Sequence, residues 1–206
     1  MRILSKIRSG FIYYVTMWLL KSKGRLKGNA IYLTFDDGPE PGITEFILDE
    51  LAKYNAKATF FCVGKNIEKY PLLLNRIIEE GHSIGSHTFS HVNAFHLKTE
   101  QYISDIARFD SLIDTVLFRP PWGTLTLKEL LSLINNKDIV LWHLSSNDHA
   151  LAKFNLHRDL EYLKIKTKKG KIVLFHFCNK HAKETRLILP LYLDWLSING
   201  YKALSL

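Results

Sequence analysis

The residues that could do chemistry in this chain are a histidine pair and a carboxylate pair. Ser86-His87-Thr88-Phe89-Ser90-His91 sets two imidazoles four positions apart, a spacing that predicts both on one side of a helical turn. One carboxylate added to two imidazoles makes the three protein ligands of a hydrolytic zinc site, with a position left for water. Asp36-Asp37 can supply it. In a turn closed by Gly38-Pro39, adjacent carboxylates can diverge, one binding metal while the other acts as a base. Alone, the histidine pair is a weak signal among nine histidines, and the aspartates could instead cap the helix after Gly42. Their shared placement at strand ends makes metal binding the stronger reading.

That placement follows from the pattern of elements. Strand-like segments at 31–35, 57–63, 82–86, 116–119, 138–144, 171–175 and 201–204 alternate with helical ones at 43–54, 71–80, 98–115, 126–135, 156–168 and 184–198. Strands separated by helices imply parallel β/α units. No Gly-x-Gly-x-x-Gly follows the first strand, so a barrel-like closure is expected rather than a dinucleotide fold. The polar groups fall just after the strands: Asp36-Asp37 after the first, His87 and His91 after the third, Arg119 at the fourth, Asp148 after the fifth and His176 after the sixth. In a β/α barrel those ends converge on one mouth, where active sites form.

Composition narrows the classes further. The 206 residues suit one domain, and two cysteines are too few for a disulfide scaffold. Seven of the 28 bases lie in residues 1–30, which carry no acid; the other 21 face 20 acids, so the body is nearly neutral and unlike a nucleic-acid binder. The apolar run 11–20 is too short to span a membrane and makes a poor secretory signal. Leu4, Ile7, Phe11, Val15 and Trp18 recur at helical spacing, so residues 1–30 read as a basic, aromatic helical extension. It is either an accessory helix or an interfacial anchor making peripheral membrane contact. The location expected from this is cytoplasmic at the inner membrane face, with export on an uncleaved N-terminus as the alternative.

Four motifs carry a family resemblance: Thr34-Phe35-Asp36-Asp37-Gly38-Pro39, His87-Thr88-Phe89-Ser90-His91, Arg119-Pro120-Pro121-Trp122-Gly123 and Leu174-Phe175-His176. In order and spacing they resemble the NodB-type polysaccharide deacetylases, carbohydrate esterase family 4, from about residue 31 to the C-terminus. The resemblance implies a single-domain α/β fold, a distorted (β/α)7 barrel over 31–206. It implies a divalent metal, usually zinc, with Co2+, Ni2+ or Mn2+ as alternatives, on Asp37, His87 and His91. Asp36 would be the base, His176 the acid, and Arg119 the residue that orients Asp36. The implied activity is removal of N-acetyl groups from N-acetylhexosamine units, the substrate being an acetylated glycan or a lipid-linked or diphosphate sugar.

The chemistry of an amide agrees with those roles. Its carbonyl is a poor electrophile, and an amine does not leave as an anion near neutral pH. The acyl oxygen must be polarised, water made nucleophilic, and the departing nitrogen protonated. The backbone N–H near Trp122 is the candidate oxyanion donor, with Pro121, Trp122 and Leu174 expected to line the substrate groove. Trp122 stands where the family more often has tyrosine. Trp142-His143-Leu144-Ser145-Ser146-Asn147-Asp148-His149 departs from the usual fourth motif, offering Asp148 or Ser145 as partner of the acid and His149 in place of a tryptophan. Other readings are an O-acetyl esterase, an N-deformylase, or a weakened glycan-binding barrel. His143, His149, His157 and His181 are expected at the surface or rim, and Cys178 beside the site.

Overall fold

Residues Ala30–Asp36 form the first strand, β1, and all seven are buried. Burial on both faces is what a central parallel strand requires. Its alternation sorts the side chains: Ile31, Leu33 and Phe35 enter the main apolar core, while Ala30 and Tyr32 join a separate inner cluster with Phe61 and Ile172. Thr34 and Asp36 continue that inner face by the same period of two.

The computed structural model describes residues 30–206, so the expected extension at 1–30 lies, apart from Ala30, outside the described residues. After β1 come β2 (Thr59–Cys62), β3 (Ser83–Ser86), β4 (Leu117–Phe118), β5 (Asp138–Ile139), β6 (Leu144–Ser145), β7 (Ile172–His176) and β8 (Lys202–Leu204). The order is β5-β4-β3-β2-β1-β7-β6, every pairing is parallel, and β8 pairs the first half of β1. The helices are α1 (Ile43–Lys53), α2 (Gly64–Lys69), α3 (Pro71–Glu79), α4 (Thr99–Asp110), α5 (Leu127–Leu133), α6 (Leu156–Lys166) and α7 (Ala182–Ile198). This parallel α/β half-barrel in one domain agrees with the expected distorted (β/α)7 barrel. α2 is a short helix that periodicity did not expose.

The segment expected as one strand at 138–144 is instead two, because it changes partners. Val140 N–H still donates to Phe118 of β4, whereas His143 N–H donates to Ile172 of β7. One run of chain therefore bridges the two sheet edges without β5 and β6 pairing. The carbonyls of Val140 and Leu141, between the two pairings, accept from the Arg119 guanidinium at 3.0 and 3.5 Å. A buried carbonyl needs such a partner.

The core packs the outer strand faces against the helices. Phe35 stacks on Phe60 with ring centres 5.1 Å apart and meets Phe175 at 5.6 Å. Register then levels the polar ends: Asp36 pairs with His176 across β1 and β7, and Ser86 with Phe118 across β3 and β4. His87 and Arg119, the next residues, therefore leave the sheet side by side, and Arg119 N–H donates to the Ser86 carbonyl.

Candidate active site

The turn after β1 separates the two carboxylates. Asp37 has φ of +82°, a left-handed conformation uncommon for a residue with a side chain, and Gly38 follows against Phe177. A Cβ on Gly38 would lie 2.4 Å from the Phe177 ring and 2.6 Å from its carbonyl oxygen, so only glycine fits there. Asn66 holds the turn from α2, its amide donating to the Asp37 carbonyl at 2.8 Å. Asp36 thus stays on the inner face while Asp37 turns toward the loop after β3.

That loop is not the helical turn expected from the four-residue spacing. Thr88 and His91 have φ of +64° and +53°, and residues 87–91 contain no helix. The amides of Gly64 and Lys65, at the start of α2, donate to the Thr88 and Phe89 carbonyls, and Asp105 of α4 accepts from Ser90 N–H. So pinned, His87 Nε2 and His91 Nε2 lie 3.3 and 3.0 Å from the same oxygen, Asp37 Oδ1.

Those three side chains suit a divalent metal. Their donor atoms lie within 4.8 Å of one another. Ligands ~2.0–2.2 Å from a tetrahedral zinc stand roughly 3.4 Å apart, close to the separations found here. His87 Nδ1 is 2.7 Å from the Arg119 carbonyl, which can only accept, so Nδ1 carries the hydrogen and Nε2 keeps its lone pair. Burial alone would raise the Asp37 carboxyl, but the bonds to His87 and His91 outweigh it and hold the group well below the usual carboxylate range.

Asp36 lies beside this trio, its Oδ2 3.9 Å from His87 Nε2. Its other oxygen accepts from Arg119 Nη1 at 2.7 Å, and Thr34 Oγ1 accepts from the same nitrogen at 2.9 Å. Arg119 is wholly buried, packed over the Phe61 ring at 4.1 Å. Removed from water, the guanidinium is held by Asp36 and by the two carbonyls of the partner-switching segment. It is a structural strut and an orienting group at once.

Across the mouth, His176 Nδ1 and backbone N–H each donate to the Asp148 carboxylate at 2.7 Å. Asp148, rather than Ser145, occupies the partner position; Ser145 Oγ instead accepts from Asn147 N–H. Burial would lower the His176 imidazole, but Asp148, aided by Asp37 and Asp36, raises it to about 9. Asp148 responds oppositely: burial raises its carboxyl, and His176 with Thr185 brings it below its ordinary value.

The remaining expected residues divide. The Trp122 ring is 57% exposed and 4.6 Å from the His91 ring, so it walls the mouth. Trp122 has φ of +58°, and the amides of Gly123 and Thr124 already bond to the Pro120 and Pro121 carbonyls. Pro121 and Leu174 are buried. His149 reaches the rim, 5.2 Å from the His176 ring. His181 does not: it is 5% exposed, 5.1 Å from the His176 ring on the inner side. Sequence reasoning set it aside because nothing local marks a histidine after Cys178-Asn179-Lys180 as buried.

Residues 23–139, more than half of the chain, match the family model described as polysaccharide deacetylase. A peptidoglycan-N-acetylglucosamine deacetylase of Bacillus cereus is 32% identical over 183 residues, covering 84% of each chain. The chain belongs to the polysaccharide deacetylase family. A second deacetylase of the same name from Bacillus cereus is 38% identical over 125 residues, which span 57% of this chain and 46% of that protein. The match thus spans about half the length of that relative. Among solved structures, the Bc1960 peptidoglycan N-acetylglucosamine deacetylase superposes with a TM-score of 0.81 at 29% identity, covering 89% of this chain and 88% of that one. The fold also superposes on a family 4 carbohydrate esterase from Streptomyces lividans with a TM-score of 0.73 at 25% identity, covering 84% of this chain and 91% of that one.

Proposed function

We propose that this polysaccharide deacetylase removes N-acetyl groups from N-acetylhexosamine units of a polysaccharide of the peptidoglycan kind, using one divalent ion, zinc by preference. One observation carries the reading: a carboxylate and two imidazoles converge between an Arg-held aspartate and an Asp-held histidine. The names of the relatives support the glycan class.

Asp37, His87 and His91 would hold the ion, which when bound supplies polarisation of the acyl oxygen and a lowered pKa for water. Asp36, fixed by Arg119 so that one oxygen stays free, takes the water proton. Its place next to the trio but outside it suits a base. Asp148 raises the His176 imidazole to about 9, so the ring is cationic near neutral pH; with Nδ1–H donating to Asp148, the Nε2 proton is the one given to the departing nitrogen. The Trp122 backbone N–H would donate to the growing oxyanion charge, and its exposed ring offers a flat apolar wall to a sugar. An ester or N-formyl group would meet the same carbonyl machinery.

The test is mass-spectrometric analysis of N-acetylated peptidoglycan fragments, a lipid-linked N-acetylated sugar and O-acetylated glycans after incubation with the zinc-loaded chain. Loss of acetyl from nitrogen, slowed about 10²–10⁴-fold by Asp36→Asn, is the expected result. Exclusive loss from oxygen would replace the amide by an ester. An Asp36→Asn variant of undiminished activity would defeat the mechanism.

A further inference from the structure

Asp37 uses only one of its oxygens in the trio. Oδ1 faces both histidines, while Oδ2 lies 3.9 Å from Cys178 Sγ on the opposite side. Behind Cys178 stands His181, and the carboxylate, thiol and an imidazole nitrogen all lie within 4.8 Å of one another. Oxygen and sulfur ligands of one tetrahedral zinc stand roughly 3.6 Å apart, given bonds of ~2.1 and ~2.3 Å. The found separation needs only a small contraction.

The second observation is an unmet donor–acceptor. His181 is 5% exposed, and its Nδ1 has no hydrogen-bond partner among the described residues. A buried polar atom left so costs stability unless something fills its valence. Burial and the neighbouring His176 hold the imidazole below its ordinary pKa, which keeps it neutral, the form that binds metal.

We propose that Asp37, Cys178 and His181 form a second metal site, selective for a thiophilic divalent ion such as zinc or cadmium and bridged through Asp37 to the trio. On binding, the Cys178 proton passes to solvent and the sulfur–metal bond forms in its place. Thiolate and imidazole favour zinc or cadmium over magnesium or manganese. Because Asp37 is shared, an ion here draws charge from the carboxylate that serves the first, and so slows the reaction. That slowing rests on the proposed function; the site itself does not.

Cadmium titrated into the metal-stripped full chain tests this without an activity assay. The expected result is two bound equivalents by elemental analysis and a thiolate-to-cadmium charge-transfer band in the ultraviolet. Cys178→Ser should lose the band and keep one equivalent, and His181→Ala should weaken the band-forming site by more than about tenfold. His91→Ala should keep the band. A single equivalent accompanied by the band upholds this site and removes the trio; wild-type protein with no band, or a band surviving in Cys178→Ser, overturns it. Residues 1–29 contain no Cys, His, Asp or Glu to confuse the count. With zinc, ions beyond the first equivalent should slow deacetylation several-fold in the wild type and leave Cys178→Ser unaffected.

Discussion

Each reactive side chain here is governed by a neighbour chosen to be ionised or fixed. His176 offers the clearest case. As an acid it acts while protonated, so activity should fall as pH rises through the value of about 9 that Asp148 sustains. In Asp148→Asn, burial remains and its counter-charge is gone, so the alkaline limb of kcat/KM should move to lower pH. A pH profile measures that shift, and an unmoved limb would detach Asp148 from the acid. The same imidazolium also contributes to stability, with the same sign in pH. A histidine whose folded pKa exceeds the ordinary 6.5 adds stability below the unfolded value, and loses it as pH climbs through the folded one. Thermal melting should therefore decline on the alkaline side near pH 9, less so in Asp148→Asn.

At the scale of elements, the left-handed turns do the positioning. Asp37, Thr88, His91 and Trp122 all carry positive φ, and each lies in a connection that follows the C-terminal end of β1, β3 or β4. Such conformations persist only where surrounding packing holds them. Gly38→Ala should break that hold, since its methyl would meet both the Phe177 ring and backbone. A loss of about 1–3 kcal/mol in urea unfolding is expected, with activity lost by more than the fraction unfolded accounts for. A variant as stable and active as wild type would show that the turn tolerates a wider path. Arg119 links two elements in another way, tying Asp36 to the carbonyls where the chain swaps from β4 to β7. Arg119→Met should lower Tm as well as kcat, because it strips a counter-charge from Asp36 and partners from buried carbonyls at once.

Across the whole molecule, the ion would join ends of β1 and β3 that are separated by β2 in the sheet. Binding only to the folded chain stabilises it, by about 2.7 kcal/mol at a free concentration one hundred times Kd. For a domain of this size that corresponds to roughly 5–10 °C in Tm, read by calorimetry with zinc against chelator. A Tm indifferent to both would argue that the trio holds no metal.

Much of this was legible before any coordinates. Strand and helix alternation, the parallel sheet and the mouth at the strand ends follow from local hydrophobic periods, which short-range sterics impose on any chain. The motif order carries the residue types of the site for the same reason, each lying at the end of a strand or within five residues past one. What local pattern could not convey depends on partners distant in sequence. The divergence of Asp36 from Asp37 is set by Phe177 pressing on Gly38, 139 positions away. The choice of Asp148 over Ser145 is set by register against β7 and by Thr185 of α7. The split of 138–144 arises where the two sheet edges approach, and the burial of His181 where the chain enters α7 beside His176. Period and propensity act over a few residues and so can be read along the chain; which groups share a cavity is decided by packing that closes only when the ends of the sheet meet.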